Sequence, residues 1–220
     1  MKTITQNLQT LKSSLEDKPQ INIVVVTKTR SPEEIQEAIA AGATSIGENK
    51  VQEAEQKFPK IQNIEKAEKR LIGRLQSNKA KKAVKIFDTI DSVDSLKLSQ
   101  KISKAAEDLG KKQRVLLQIN SSGEKTKAGF GLNHKKEILE CINMSGIKVE
   151  GLMTMGPNTK DVDLITKSFQ KTKKLFDELN ELENIKMKTL SMGMSGDYLI
   201  AVREGSTSIR IGTAIFGPRA

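Results

Sequence analysis

The feature that most constrains this chain is a rhythm. Runs of β-branched and aliphatic residues alternate with amphipathic segments along all 220 residues. INIVVVT (21–27) reads as a buried strand, because consecutive valines favour extended backbone. PEEIQEAIAAG (32–42) follows as a helix, opened by Ser31, Pro32 and two glutamates and closed by Gly42. TSIGE (44–48), RLIGR (70–74), FDTIDS (87–92), RVLLQIN (114–120), IKVEGLMTM (147–155), MKTLSMG (187–193) and TSIRIGTAIFG (207–217) supply seven more strands, the last with a terminal turn. Helices are predicted over 49–58, 76–86, 95–109, 134–144, 161–182 and 195–205, and a polar loop over 121–131. Ile4, Leu8, Leu11 and Leu15 share one helical face and mark an extra N-terminal helix.

A strand, a helix and a parallel strand joined in this order cross over right-handedly. Eight such units close into a (β/α)8 TIM barrel, a fold that begins at about 200 residues. The competitor is an open doubly wound sheet, which wants a glycine-rich phosphate loop after its first strand. Here that position reads TKTRSP, without glycine. No linker or shift in composition divides the chain, so one domain over 1–220 is expected.

Composition narrows the partners. The net charge is +10, but the lysines are scattered among acids, and the densest run, KAKKAVK (79–85), lies on one predicted helix. With one tyrosine and no tryptophan there are few platforms for base stacking. A solvated basic surface is expected, with no nucleic-acid partner. Aromatics are 3%, so the core must be aliphatic. The lone Cys141 permits no internal disulfide and falls on the apolar face of EILECINM, where a packed thiol fits a reducing cytoplasm. His134, beside Lys135 and Lys136, reads as a surface residue. No run approaches the ~20 apolar residues of a membrane span, and MKTITQNLQTLKSSLEDK lacks the apolar core of a signal peptide. A cytoplasmic protein with no membrane partner is the expectation.

In a barrel the chemistry collects at the C-terminal ends of the strands. Lys28 follows the first strand, Asn49 the second, and a polar stretch from Gly73 to Lys79 the third; Met153 lies at the end of the sixth. Ser195 follows the seventh, at the expected cap of the next helix, and Gly212 and Thr213 follow Arg210 in the eighth. A helix start offers N–H groups to an anion, glycine lets backbone come close to a ligand, and the loops after strands seven and eight are the usual phosphate site of this fold. The alternative is that Ser195 merely caps a helix and Gly212 merely makes a turn. An exposed lysine has a pKa near ~10.4 and is a poor nucleophile. Desolvation or a nearby cation favours its neutral amine. Lys28 opposite a phosphate cup therefore suits a Schiff base with a phosphorylated aldehyde, of which pyridoxal phosphate is the obvious one. The alternative is a lysine snorkelling from a strand end into water. Arg210 sits where a barrel interior prefers apolar groups, and a buried charge needs a partner. Facing a pyridine nitrogen, an always-protonated arginine could donate a hydrogen bond but accept no proton, which weakens the ring as an electron sink. The alternative is a salt bridge to Glu204 or Asp197.

VVVTKT around Lys28, IGENKVQEA (46–54), LIGRLQSNK (71–79), VEGLMTMGP (149–157) and LSMGMSGDYLIAVREGSTSIRIGTAIFG (190–217) together resemble the pyridoxal phosphate homeostasis proteins, the proline synthetase co-transcribed family, which look like the barrel domain of alanine racemase standing alone. The resemblance implies a cofactor held by Lys28, a phosphate held by Ser195, Gly212 and Thr213, Arg210 facing the pyridine nitrogen, and Asn49 and Met153 lining the ring pocket. Arg70 stands where the family often has histidine, and Lys50 where it commonly has an aromatic. It also implies a non-catalytic carrier that buffers pyridoxal phosphate and passes it to apo-enzymes. An amino-acid racemase or decarboxylase is the alternative. Racemisation needs acid–base groups on both faces of the substrate. In alanine racemase the second is a tyrosine brought by a partner subunit's extra domain; these residues are expected to hold no such domain, and the sole tyrosine is Tyr198. A monomer is the corresponding expectation.

Overall fold

A computed structural model describes residues 3–18, 20–124 and 126–218. The ends of the expected 1–220 domain and Lys125 of the 121–131 loop lie outside the described residues. Eight parallel strands close into a barrel in chain order: β1 (Asn22–Val26), β2 (Ser45–Glu48), β3 (Glu68–Leu71), β4 (Thr89–Val93), β5 (Gln113–Ile119), β6 (Ile147–Thr154), β7 (Thr189–Met194) and β8 (Ser208–Ile211). β1 seals the barrel against β8, with Asn22 opposite Ser208 and Val25 opposite Ile211. The helices α1 (Ile4–Ser13), α2 (Pro32–Ala40), α3 (Val51–Lys57), α4 (Ala80–Ile86), α5 (Leu96–Glu107), α6 (Lys135–Ile142), α7 (Val162–Asn180), α8 (Tyr198–Arg203) and α9 (Thr213–Phe216) surround it.

Local chemistry sets these boundaries. Thr3 and Gln6 form a capping box at α1, and Ser31 and Glu34 form one at α2, with Pro32 in the first turn. The helix after β8 is only one turn long. The predicted N-terminal helix covers the seam instead: Leu8, Leu11 and Leu15 pack with Val25, Ile209, Ile211 and Ile215, and Asn7 Nδ2 donates to the Ile215 carbonyl at 2.8 Å. The larger core lies between the barrel and the remaining helices and is mainly aliphatic. Cys141 is buried in it, its Sγ 3.1 Å from Ser99 Oγ, and burial pushes the thiol up. No helix among the described residues is long and apolar enough to cross a membrane.

Two expectations are corrected. β3 begins at Glu68, not Arg70, and ends at Leu71, so residues 72–74 lie beyond the strand. The barrel interior also holds charged groups, beside buried Val24, Leu116 and Met153, where apolar ones alone were expected. Leu71 and Ile90 face the helices, so alternation turns Arg70 and Asp91 inward. Arg70 Nη2 meets Asp91 at 2.9 Å and Nη1 meets Glu68 at 2.7 Å; Glu68 also pairs with Arg114 at 2.9 Å. Burial works against the Arg70 charge, but Asp91 and Glu68 more than offset it and raise the guanidinium above its usual range. The charges that hide β3 from a hydrophobic pattern are thus the contents of the barrel.

Candidate functional site

Alternation also orients β8. Ile209 and Ile211 face the helices, so Arg210 points into the barrel, where it is 4% exposed. Among the described residues it makes no ion pair, so a salt bridge to Glu204 or Asp197 does not hold it. Nη1 donates to the Ser191 carbonyl at 3.0 Å and its Oγ at 2.7 Å, and Nη2 donates to the Thr154 carbonyl at 2.8 Å. These contacts leave part of the guanidinium's N–H fan unspent. Burial is the chief influence and lowers its pKa, with Asp91 and Asp197 acting through space in the other direction. The group stays a cation.

Above Arg210, the loops after β7 and β8 meet. The ladder shifts register between Ser191 and Met194, and such an irregularity re-aims the side chains at the strand end. Gly193, at φ +95°, turns the chain. Ser195 is not the cap of α8, contrary to expectation. That helix starts at Tyr198, and the Asp197 carboxylate accepts the Met194 N–H at 2.6 Å, closing a tight turn before it. Ser195 points across to the other loop, where its Oγ accepts from the Ala214 N–H at 3.4 Å. Gly212 stands at the start of α9, where its carbonyl already holds the Ile215 and Phe216 N–H groups at 2.9 and 3.0 Å, leaving those of Thr213 and Ala214 toward the neighbouring loop. A Cβ at Gly212 would sit 3.3 Å from Val26 Cβ. Backbone here runs close against β1, and a side chain would need Val26 to give by a few tenths of an ångström.

A shallow recess at this rim is lined by Val26, Lys28, Arg30, Gly212 and Thr213. It brings the predicted lysine to the predicted anion cradle. Lys28 is half-buried in the turn after β1. Arg30 was not singled out by sequence; its signal was its place two residues after Lys28 in the same loop. It is held by the Gly217 carbonyl at 2.9 Å, by Glu34 at 3.3 Å and over the Phe216 ring at 5.2 Å. Asn49 lines a neighbouring groove with Lys50, Arg74 and Lys79. Met153 is fully buried on β6, opposite Ser191 in register. A larger cleft lies at the other end of the barrel under α1, lined by Leu8, Leu15, Ile21 and Ile23 with Lys12, and holds none of these groups. No cluster of three potential metal ligands occurs among the described residues. Tyr198 Oη lies 3.3 Å from Ser14 Oγ on α1.

A closed parallel barrel with a lysine after its first strand and a serine, a glycine and a threonine in the loops after its last two defines a class, and the chain matches the alanine racemase N-terminal domain family over residues 1–220. Solved structures agree at the level of fold: an alanine racemase from Clostridium difficile 630 superposes with a TM-score of 0.83 at 21% identity, covering 99% of this chain and 57% of that one. The chain belongs to the pyridoxal phosphate homeostasis protein family. It is 37% identical to the pyridoxal phosphate homeostasis protein of Synechocystis over 91% of this chain and 93% of that one, and 38% identical to the protein of that name in Aquifex aeolicus over 88% and 85%. PipY of Synechococcus elongatus, solved with pyridoxal phosphate bound, superposes with a TM-score of 0.89 at 34% identity, covering 98% of this chain and all of that one.

Proposed function

We propose that this protein binds pyridoxal 5'-phosphate at the recess and serves to hold and buffer it in the cytoplasm rather than to catalyse. The observation that carries the reading is the meeting of Lys28 with the Gly212–Thr213 cradle in one recess. The donor chemistry fits the group. Ser195, Gly212 and Thr213 present hydroxyl and N–H donors to a dianionic phosphate, and Arg30 adds a cation at the same wall. Arg210 supplies a donor below them that cannot give up its proton, so a ring nitrogen facing it stays unprotonated. Asn49 and Met153 would flank the ring. Lys28 would supply the amine that holds the cofactor through its aldehyde, the carbonyl oxygen being lost as water. Lys57, another lysine close to this loop, already donates to Thr27, Arg30 and Glu53 and is spent. Tyr198 is turned toward α1, which leaves the second face of a bound substrate without the phenol that racemisation would need. Recipients would be apo-enzymes that use the same cofactor, met by a monomer.

The test is direct. The purified protein is given pyridoxal phosphate, reduced with borohydride and digested. The adduct is expected on Lys28 and is lost in Lys28→Ala, which keeps residual phosphate binding. An adduct on another lysine, or none, refutes the assignment.

A further inference from the structure

The turn that carries Lys28 is held in an unfavourable shape. The Arg30 N–H donates to the Thr27 carbonyl at 3.1 Å, so Thr27, Lys28, Thr29 and Arg30 form a tight turn. Its third residue, Thr29, has φ +63°. That region suits glycine or asparagine, and a β-branched residue is an outlier there. Such strain persists only where surrounding contacts over-determine it.

Those contacts come from one face of α3 and the end of β2. Lys57 Nζ donates to the Thr27 carbonyl at 2.9 Å and to the Arg30 carbonyl at 3.1 Å, gripping both ends of the turn. Glu53 Oε1 accepts the Thr29 N–H at 2.7 Å, fixing the strained residue itself, and meets Lys57 Nζ at 2.8 Å. Glu48, 0% exposed, places Oε1 2.6 Å from Lys57 Nζ and accepts the Thr27 hydroxyl at 2.7 Å. The Lys57 side chain is 12% exposed. A buried ammonium ringed by two carboxylates and two carbonyls costs desolvation that a simple surface helix has no reason to incur.

We infer that Lys57, with Glu48 and Glu53, is a positioning group: it forces the Thr27–Arg30 turn into the geometry that presents the Lys28 amine to the recess. This rests on Lys28 as the cofactor lysine. The role predicts a division of labour. Ser195, Gly212 and Thr213, which would hold the phosphate, and Met153 lie outside the clamped turn, and Arg30, which shares it, is also held by Glu34 and the Gly217 carbonyl; covalent capture by Lys28 depends on the turn directly.

Removing Lys57 alone would leave Glu48 buried without its counter-charge, so the first variant is the double Glu48→Gln, Lys57→Met. The second is Glu53→Ala, which frees the Thr29 N–H while the Glu48–Lys57 pair remains. Two probes separate the functions in the full-length protein. Pyridoxine 5'-phosphate has no aldehyde and reads the phosphate and ring contacts; pyridoxal 5'-phosphate with borohydride trapping reads capture by Lys28. The double variant is expected to lose no more than about twofold in pyridoxine phosphate binding, through Arg30, but to form the Lys28 adduct about tenfold more slowly or worse, as misplacing a reacting group does. Glu53→Ala should show a smaller loss in the same direction. Parent-like capture in both variants overturns the inference, and so does a parallel loss of both probes, which is what a merely structural role would give. If the double variant does not fold, Glu53→Ala decides by the same criteria. A parent adduct on another lysine would instead sink the assignment of Lys28, a separate outcome.

Discussion

Gly193→Ala tests whether the turn between β7 and α8 is built on backbone freedom. Gly193 is buried with φ +95°, where an alanine pays roughly 1–2 kcal/mol in local sterics. Its new Cβ would lie 2.6 Å from Ala201 Cβ and 2.9 Å from Tyr198 Cα. Neither neighbour can swing away, since one is a methyl fixed to a helix and the other is backbone. Overpacking of that kind costs about 1–3 kcal/mol. The smaller entropy of the unfolded chain returns only about 0.4–1 kcal/mol. A net loss of about 1–5 kcal/mol is expected. With a urea m-value of about 2 kcal/mol/M, the denaturation midpoint should fall by about 0.5–2.5 M at unchanged slope. Gly212→Ala is the internal control. Its φ is −119°, outside the left-handed region, and its Cβ meets Val26 Cβ at 3.3 Å. Stability should change by no more than about 1 kcal/mol, while the new methyl narrows the recess at its Val26 wall and weakens pyridoxine phosphate binding. A parent-like midpoint for Gly193→Ala would refute the reasoning, as would two variants with interchangeable effects.

The buried charges give two more expected outcomes. Asp91→Asn keeps the shape of the pair but leaves Arg70 buried with Glu68 as its remaining partner; a loss of about 3 kcal/mol is expected by chemical denaturation, and Arg70→Met in the same chain should recover much of it. Burial raises the Glu48 carboxyl against the pull of Lys57 and Thr27, so the folded state holds this proton more tightly than the unfolded chain. Its contribution is therefore fully present below the ordinary carboxylate pKa and is lost as pH rises through the raised one; Glu48→Gln should remove that downward slope from stability measured across the acidic range, and an unchanged slope would contradict the assignment.

The β/α rhythm was legible because each strand keeps an aliphatic outer face and each major helix carries a capping or stop signal nearby. β3 was misplaced by two residues for the same physical reason that its contents are unusual. Glu68 and Arg70 are inward-facing partners of Arg114 and Asp91, and the pairing depends on strands that the sequence does not show to be neighbours. Lys28, Gly212 and Thr213 could be placed at one rim because the topology puts strand ends there. Ser195 could be placed near them but not oriented: the Asp197 turn delays α8 by three residues and aims the serine at Ala214. The clamp on the Lys28 turn left no local signature, since Lys57 lies a full helix away in the chain and its grip is on carbonyl oxygens, which every residue has.

The two ends of the barrel resolve their charge in opposite ways, and this explains why only one end suits an anion. Deeper in the barrel, Arg70 and Arg114 are matched by Glu68 and Asp91, with contacts of 2.7–2.9 Å, so little net field remains. At the recess the nearby acids are already committed: Glu48 and Glu53 face Lys57, and Asp197 holds the Met194 N–H. Arg210 is anchored by neutral oxygens of Ser191 and Thr154, which satisfy its geometry without cancelling its charge. A carboxylate in their place would bind the guanidinium as well and remove the positive potential beneath the recess. Neutral anchoring keeps Arg210 available as a fixed cation and hydrogen-bond donor, so that in the proposed binding mode the rim would attract a phosphorylated ligand while giving its ring no proton with which to become a strong electron sink.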